Sequence, residues 1–258
     1  MMSRRLTNNF SGVFFSILAL LVCCMATSLA SADTIKIVTE ELPPYNFTEN
    51  GKLTGFSTEV VEAVLDEIKV KGNFQSMPWA RAYETALNSP DILIYSIART
   101  KERESLFKWV GVITPADWFL FSLKSNNLKI ANLEDVKKSQ TATVNEDVGE
   151  QYLLGKGFVK GQNIQSNSNY EINYRKLKLG RVDFWIMNEL AANFVVRKYG
   201  DVPEQILRKS YHIENFVQDG FYMAFSLKTS DTFVEKFKQG LESIKKNGKY
   251  EAIRKKWL

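Results

Sequence analysis

Apolar runs of strand length alternate with amphipathic helical segments along this chain of 258 residues, and that order constrains the fold more than any other feature. Residues 35–39 alternate apolar and polar side chains, as a half-buried strand does. In the helical segment that follows, we expect Ser57 to be the N-cap, with the apolar residues between Val60 and Ile68 on one face. Residues 92–97 are almost all apolar, which is typical of a strand buried on both faces. Strand, helix and strand in this order predict an α/β fold with a parallel sheet.

The same alternation returns in the second half of the chain. Strands are predicted over residues 119–123, 141–144, 182–187 and 221–225, and helices over 147–154 and 189–199. A last helix begins at about residue 233 and stops at Asn247-Gly248, and a short terminal helix over 250–257 follows it. No linker rich in proline separates the halves, so two lobes would be joined by short hinge strands at residues 119–123 and 221–225. We therefore expect lobe I to comprise residues 33–118 and 219–258, and lobe II residues 119–218. Sheets of this kind bind ligands beyond the carboxyl ends of their strands, which places a ligand cleft between the lobes.

The N-terminus has the features of an export signal. Two early arginines precede an apolar stretch, and small residues lead up to Ala32. This order is typical of a secretory signal peptide, and a membrane anchor is the alternative. Lipoprotein processing is disfavoured because Val22 precedes Cys23, where a small residue is needed. We expect residues 1–32 to be cleaved after Ala32 and the protein to be periplasmic.

Residue counts exclude several classes of function. Both cysteines, Cys23 and Cys24, would leave with the signal peptide, so the exported chain would have no disulfide and no thiolate site. The single histidine, His212, excludes a Ser-His-Asp triad and a multi-histidine zinc site, and we interpret it as a surface or structural residue. We expect neither a metal nor a cofactor. A formal net charge of +5 spread over 34 basic and 29 acidic residues does not indicate nucleic-acid binding.

Four motifs, taken in their order along the chain, resemble a known family. They are Pro44-Tyr45 with Gly-Lys-Leu-Thr-Gly-Phe at 51–56, Thr-x-x-Arg at 100–103, Leu-Gly-Arg-Val-Asp at 179–183, and the closing Asn-Gly-Lys-Tyr at 247–250. The sequence is similar at these positions to the periplasmic solute-binding proteins of the polar-amino-acid type, family 3. The resemblance implies a two-lobed periplasmic-binding-protein fold of type II, with the ligand in the cleft between the lobes.

The resemblance also implies a binding role for Arg103. In the family, the arginine of Thr-x-x-Arg clamps the carboxylate of the ligand. A guanidinium suits this task because its planar fork donates two parallel hydrogen bonds and stays charged. A solvated arginine in a charge-rich segment is the alternative. At the end of the preceding strand, Ser96 and Tyr95 are expected to add hydroxyl and backbone contacts.

Aromatic residues are expected to form the wall of the pocket in the first lobe. The resemblance places Tyr45 and Trp79 there, and flat rings bury much ligand area and attract cations. Either ring could instead belong to the core. Glu41, just after the first strand, is expected to accept a hydrogen bond from an amine of the ligand.

The second lobe departs from the family pattern at two positions. Where many members have an aspartate that pairs with the ammonium of the ligand, this chain has Asn188, which brings no charge. Glu189 is adjacent and is an alternative partner. Asp147 stands in the loop where the family has a Gly-Ser/Thr motif, and it either caps the next helix or contacts the ligand. These departures leave open whether the ligand carries an ammonium group.

The sequence therefore predicts a non-enzymatic, monomeric receptor. It would capture a small carboxylate-bearing solute, an amino acid or a related molecule, for an ABC permease in the inner membrane. A ligand sensor for a membrane signalling partner uses the same pocket and is one alternative. A dehydratase-like enzyme with Glu189 as general acid is another.

Overall fold

A computed structural model describes residues 34–215 and 217–258. The predicted signal peptide, residues 1–32, lies outside them. The strands are β1 Thr34–Thr39, β2 Phe47–Glu49, β3 Lys52–Thr54, β4 Lys71–Ser76, β5 Ile92–Arg99, β6 Phe107–Thr114, β7 Trp118–Leu123, β8 Thr141–Val144, β9 Ile164–Asn167, β10 Phe184–Asn188, β11 Leu207–Ile213 and β12 Gln218–Ser226. The helices are α1 Phe56–Ile68, α2 Trp79–Asn88, α3 Leu133–Val136, α4 Val148–Gly155, α5 Tyr170–Lys178, α6 Glu189–Lys198, α7 Pro203–Ile206, α8 Asp231–Lys246 and α9 Lys249–Trp257. Over these residues, no helix combines the length and apolarity that crossing a bilayer requires.

The strands form two five-stranded mixed sheets and a small hairpin. The first sheet has the order β4-β1-β5-β12-β6, and the second has the order β11-β7-β10-β8-β9. In the first sheet β1 runs parallel to β4 and β5, and in the second β8 runs parallel to β9 and β10. The remaining pairings within the two sheets are antiparallel. The architecture is the α/β arrangement that the sequence predicts.

Two short connections carry the chain between the sheets. The first joins the end of β6 at Thr114 to the start of β7 at Trp118, and the second joins Ile213 of β11 to Gln218 of β12. The expected hinge strands, residues 119–123 and 221–225, lie inside β7 and β12 and are paired within a sheet. The passage from one sheet to the other therefore falls just before each of these strands.

Helix α1 is buried along one face. Its valines and leucine between Val60 and Leu65 are buried, as the helical periodicity predicts. The prediction that Ser57 caps it is wrong, because the N-cap is Gly55 and no side chain caps the helix. Instead, the carbonyls of Pro44 and Tyr45 accept hydrogen bonds from the N–H groups of Phe56 and Ser57, at 2.9 and 2.8 Å. The loop after β1 is thereby tied to the start of α1.

The residues that come directly after the parallel strands of both sheets lie at the carboxyl ends of those strands. Three residues from each sheet come after the carboxyl ends of parallel strands: Glu40, Trp79 and Arg103 follow β1, β4 and β5, while Asp147, Tyr170 and Asn188 follow or end β8, β9 and β10. Ligand sites of open α/β sheets form at such ends.

Candidate functional site

Side chains from the two sheets meet and bond to one another at these strand ends. Five side-chain hydrogen bonds join the two sides: Tyr45 Oη to Asn188 Oδ1 (3.2 Å), Trp79 Nε1 to the Glu146 carbonyl (2.8 Å), Arg103 Nε to Gln151 Oε1 (3.1 Å), Arg103 Nη2 to the Glu146 carbonyl (3.5 Å) and Tyr170 Oη to Glu40 Oε1 (3.2 Å). We call this region, defined by Glu40, Tyr45, Trp79, Arg103, Asp147, Tyr170 and Asn188, the cleft site. All seven residues are buried, so the two sides are closed on each other.

Arg103 is the positive charge of the cleft site, and its side chain is only 1% exposed. Three of its N–H groups donate to neutral acceptors: Gln151 Oε1 (3.1 Å), the Ala98 carbonyl (3.2 Å) and the Glu146 carbonyl (3.5 Å). The rings of Trp79 and Tyr83 lie 5.3 and 5.0 Å from its guanidinium carbon, close enough for cation–π attraction. Burial lowers the pKa of Arg103, but a guanidinium is basic enough to stay charged. The residue is therefore a buried cation at the junction of the sheets.

Glu40 and Asp147 bring two carboxyl groups to this cation. They are 6% and 2% exposed and come from different sheets. Burial raises the pKa of Asp147 to about 7. Burial, and then the charge of Asp147, raise the pKa of Glu40 well above its usual range. Near neutral pH the pair therefore retains a proton, which a pair of exposed carboxylates would have lost.

The two carboxylate oxygens of Asp147 have different surroundings. Its Oδ1 accepts a hydrogen bond from the N–H of Glu150 at 2.7 Å, so it caps α4 and that part of the prediction is confirmed. Its Oδ2 is buried and has no hydrogen-bond partner among the residues that the structure describes. An unpaired buried oxygen is costly, and the predicted ligand contact of Asp147 stays a prediction.

Asn188 caps the other helix that begins at the cleft. Its Oδ1 accepts from the N–H of Ala191 at 3.0 Å and from the hydroxyl of Tyr45 at 3.2 Å. A backbone N–H can only donate, so this contact fixes which amide atom is the oxygen. The Nδ2 of Asn188 is buried without a partner within residues 34–215 and 217–258. The free atom at this position is a donor, whereas an ammonium would need an acceptor.

Ser96 lies next to the cleft on β5. β1 and β5 pair as far as Val38 and Ile94, and the Thr39 hydroxyl donates to the Tyr95 carbonyl at 3.3 Å, one residue before Ser96. Ser96 has a left-handed backbone with φ of 56°, at a point where the pairing with β12 shifts register. Its buried Oγ has no partner in the described part of the chain. This geometry fits the predicted ligand contact, which stays a prediction.

The structure does not bring two other predicted residues to the cleft site. Tyr95 points into the first-sheet core, where its hydroxyl lies 2.9 Å from Thr58 Oγ1 of α1. The carboxylate of Glu41 is turned to the exposed side, where it accepts from Thr48 and Ser76. The adjacent Glu40 takes the cleft position instead.

Sequence reasoning missed Glu40 and Tyr170 as cleft residues. Glu40 and Glu41 both follow the first strand. Their position indicates that a glutamate reaches the cleft, but it does not indicate which of the two. Tyr170 follows β9, a short polar strand without a recognisable apolar pattern. The only signal for Tyr170 is Asn169, whose side chain caps α5 by accepting from Ile172.

The residues considered for other chemistry lie outside the cleft site. Glu189 forms an ion pair with Lys209, with Oε1 and Nζ 2.6 Å apart. His212 is partly exposed and stacks on Phe119 at a ring distance of 4.7 Å. In the described ranges no three side chains of His, Cys, Asp or Glu are grouped so that they could hold a metal ion.

An open groove is lined by the residues on either side of Arg103 in the chain, Glu102 and Glu104. It has a volume of about 900 Å³, and its lining includes Thr100, Val148, Gln151 and Asp219. Gln151 lines the groove and also accepts a hydrogen bond from Arg103. Its side chain therefore lies between the groove and the buried guanidinium.

Comparison with known proteins identifies similar sequences and similar structures. The arginine-binding periplasmic protein of Mannheimia haemolytica is 27% identical over 94% of this chain and 98% of its own length. A probable histidine-binding protein of Campylobacter jejuni is 25% identical over 87% and 84%. An ancestral arginine-binding protein, solved with arginine bound, superposes with a TM-score of 0.75 at 25% identity over 87% of this chain and 98% of that one.

A histidine kinase sensor domain with similarity to periplasmic binding proteins has the same fold. It superposes with a TM-score of 0.77 at 21% identity, over 87% of this chain and 96% of that one. These structures have the two-lobed fold, which confirms the expected fold class. The sequence profile of the bacterial extracellular solute-binding proteins, family 3, matches residues 35–258. The chain therefore belongs to this family, as its motifs predict.

Proposed function

We propose that this protein is a periplasmic receptor that closes on an amino acid or a related carboxylate-bearing solute and delivers it to an ABC permease. It would act as a monomer after cleavage behind Ala32, with residues 33–118 and 219–258 as lobe I and residues 119–218 as lobe II. The proposal is supported by relatives whose names state that they bind arginine, histidine or cystine. Family members bind solutes of this class in extracellular or periplasmic locations.

The buried guanidinium of Arg103 is the observation that carries the proposal. Burying a charge is costly unless it is paired, and the three hydrogen-bond acceptors of Arg103 are neutral. The hydrogen bonds to Gln151, Ala98 and Glu146 use three of its five N–H groups, so two donors remain for the neighbouring Tyr83 or for a ligand. A ligand carboxylate at these two donors would supply a charge-assisted bond that the closed cleft otherwise lacks.

We also propose that the protein binds its solute without transforming it. The dehydratase-like alternative needs Glu189 in the cleft as a proton donor, and this carboxylate is instead held by Lys209. The relatives with known names are solute-binding proteins.

A thermal-shift panel tests the proposal. Basic, neutral and sulfur-containing amino acids, with matched amines and carboxylates, are added to the mature protein at millimolar concentration. At a ligand concentration of 100 Kd, binding contributes about 2.7 kcal/mol to the free energy of unfolding, which raises Tm by several degrees. If no member of the panel raises Tm, the proposed class of ligand is wrong.

Arginine-to-lysine variants test the clamp itself. Arg103→Lys keeps a cation but loses the planar fork, so we expect the Tm shift produced by the best ligand to fall to near zero. Arg99→Lys is the matched control, because Arg99 pairs with Glu104 at a partly exposed site. Circular dichroism verifies that both variants fold. An unchanged ligand response in Arg103→Lys contradicts the clamp.

A further inference from the structure

We propose that three aromatic side chains outside the cleft site hold the two lobes closed on each other. They are Phe47 of β2, Phe194 of α6 and Trp257 of α9, and we call them the aromatic clasp. None of the three is a residue of the cleft site. The inference therefore goes beyond the proposed function, because the clasp acts in the same way whatever solute the protein binds.

The first step of the argument is the contact between the rings. The ring centroid of Phe47 lies 5.4 Å from that of Phe194, with an angle of 49° between the ring planes. Trp257 packs edge-on against the other side of the contact, 6.0 Å from Phe47 at 87°. All three residues are partly buried. Aromatic pairs at such distances stabilise a contact beyond the apolar area that they bury.

The second step is that the rings are anchored to different sheets. Phe47 belongs to the β2–β3 hairpin, which is tied to the end of β1 because Glu41 accepts from the N–H and the hydroxyl of Thr48, at 2.7 and 2.8 Å. Trp257 is on the same side, since α9 packs against α1 and α8. Phe194 is on α6, which follows β10 of the second sheet and packs against it. Separation of the sheets must therefore break the contact between Phe47 and Phe194.

The third step compares this contact with the polar one beside it. The same two segments are also joined by the hydrogen bond from Tyr45 to Asn188, at 3.2 Å. Water can replace that hydrogen bond when the lobes open, so its net contribution to closure is small. Opening exposes the rings of Phe47 and Phe194 to water, which is unfavourable. The clasp therefore adds free energy to the closed form, and a captured solute leaves only after the clasp has opened.

The indole N–H of Trp79 provides a direct probe of opening. It donates to the Glu146 carbonyl on the other side of the cleft at 2.8 Å, and Trp79 is 3% exposed. Exchange of this proton for deuterium requires the lobes to separate. The indole N–H of Trp109 is the internal reference, because it donates to the Glu104 carbonyl on its own side at 3.1 Å. NMR follows both signals in the mature protein without added solute.

Truncation of either phenylalanine should accelerate exchange at Trp79. We expect Phe47→Ala and Phe194→Ala each to raise its rate about tenfold, which is equivalent to about 1.4 kcal/mol in the opening equilibrium. The rate at Trp109 should not change. The combined variant should exchange within about twofold of either single variant, because both substitutions remove the same contact. Phe194→Leu keeps an apolar side chain on α6 and should give an intermediate rate.

Phe233→Ala is the matched control. Its ring packs on Phe225 and Phe237 within the first-sheet side, at 5.7 and 5.3 Å, so this variant loses an aromatic contact that opening does not break. Circular dichroism verifies that all variants fold, and we expect exchange at Trp79 to stay at the wild-type rate in the control.

Four results would overturn the inference. They are exchange at Trp79 in the wild type as fast as in a free indole, no acceleration in Phe47→Ala and Phe194→Ala, simple addition of their effects in the combined variant, and equal acceleration in Phe233→Ala. None of these measurements uses a ligand. A failure here therefore leaves the proposed class of solute standing, and a failure of the thermal-shift panel leaves the clasp standing.

Discussion

Ser96 combines two features that lower the stability of the folded protein. Its φ of 56° lies in the left-handed region, which costs a residue with a Cβ about 1–2 kcal/mol. Its buried hydroxyl has no partner within the described residues, and such a group costs about 1–3 kcal/mol. Costs of this kind concentrate at binding sites, where the strained residue contacts a ligand. Ser96 directly follows Tyr95, whose carbonyl oxygen accepts from Thr39 next to Glu40, which is consistent with that explanation.

Replacing Ser96 with glycine should separate stability from binding. Ser96→Gly removes both the strained Cβ and the unpaired hydroxyl, so we expect the free energy of unfolding to rise by about 1 kcal/mol. Loss of the hydroxyl contact should weaken ligand binding by about fivefold. Urea unfolding and calorimetry measure the two quantities. Asp91→Gly, at an exposed site with φ of 55°, is the control and should leave ligand affinity unchanged. A Ser96→Gly protein that is less stable, or that binds as the wild type does, would contradict the explanation.

Glu40 and Glu41 show how far the sequence can resolve a single residue. Both follow the first strand, and a shift of one residue exchanges the cleft side for the exposed side. Alternation of apolar and polar residues would normally decide between them, but the strand is buried on both faces at Val38 and Thr39. The periodic signal is therefore lost at the residue where the choice matters.

At the scale of elements, the contact between the β1–α1 loop and helix α1 positions Tyr45. Gly55 begins α1 with φ of 113°, and a Cβ at this residue would lie 2.5 Å from the carbonyl oxygen of Tyr45. The same loop carbonyls satisfy the first N–H groups of the helix. A side chain at residue 55 would force the loop away and remove these hydrogen bonds.

Gly55→Ala should therefore destabilise the protein and weaken ligand binding together. We expect a loss of about 2–4 kcal/mol in the free energy of unfolding, from strain, overpacking and lost N-terminal hydrogen bonds. Gly51→Ala is the matched control in the same segment, because φ is 76° there but no atom lies within 4 Å of its Cβ. It should cost only about 1 kcal/mol. Chemical denaturation of both variants measures the difference, and equal losses would show that the loop contact does not matter.

The sequence predicts the position of those strands and helices whose apolar pattern is strong. β5 and β10 are buried along nearly their whole length, so their composition alone identifies them. By contrast, β4 is an edge strand with a largely polar sequence, and α5 buries two tyrosines, one asparagine and one leucine among charged residues. Such elements are stabilised by tertiary packing, which a local pattern does not record.

For the whole molecule, the order of strands and helices predicts the two-lobed fold, but not how the lobes close. The hydrogen bond from Tyr45 to Asn188 spans 143 residues, and the one from Tyr170 to Glu40 spans 130. No local pattern encodes contacts of this range. They depend on how the two sheets come together, and the second also involves Glu40, a buried carboxyl group whose pKa is raised.

Protonation should therefore control closure of the ligand-free protein. In the closed form, burial raises the pKa of Asp147 to about 7, whereas an open, hydrated aspartate has a pKa of about 4. Between these two pH values the closed form binds a proton that the open form has lost. Rising pH therefore favours opening, by up to tenfold per pH unit, and falling pH favours closure. The complete shift is equivalent to about 4 kcal/mol.

Energy transfer between two dyes measures this equilibrium. The only cysteines in the sequence are Cys23 and Cys24, so a mature chain can be labelled through Leu179→Cys and Gln239→Cys, both at exposed sites on opposite sides of the cleft. We expect higher transfer efficiency at pH 5 than at pH 8 in the absence of ligand. A variant that combines Glu40→Gln with Asp147→Asn lacks both titrating groups and should remain equally closed at the two pH values. If the wild type shows no change with pH, or if the double variant keeps the same change, the carboxyl pair does not govern closure.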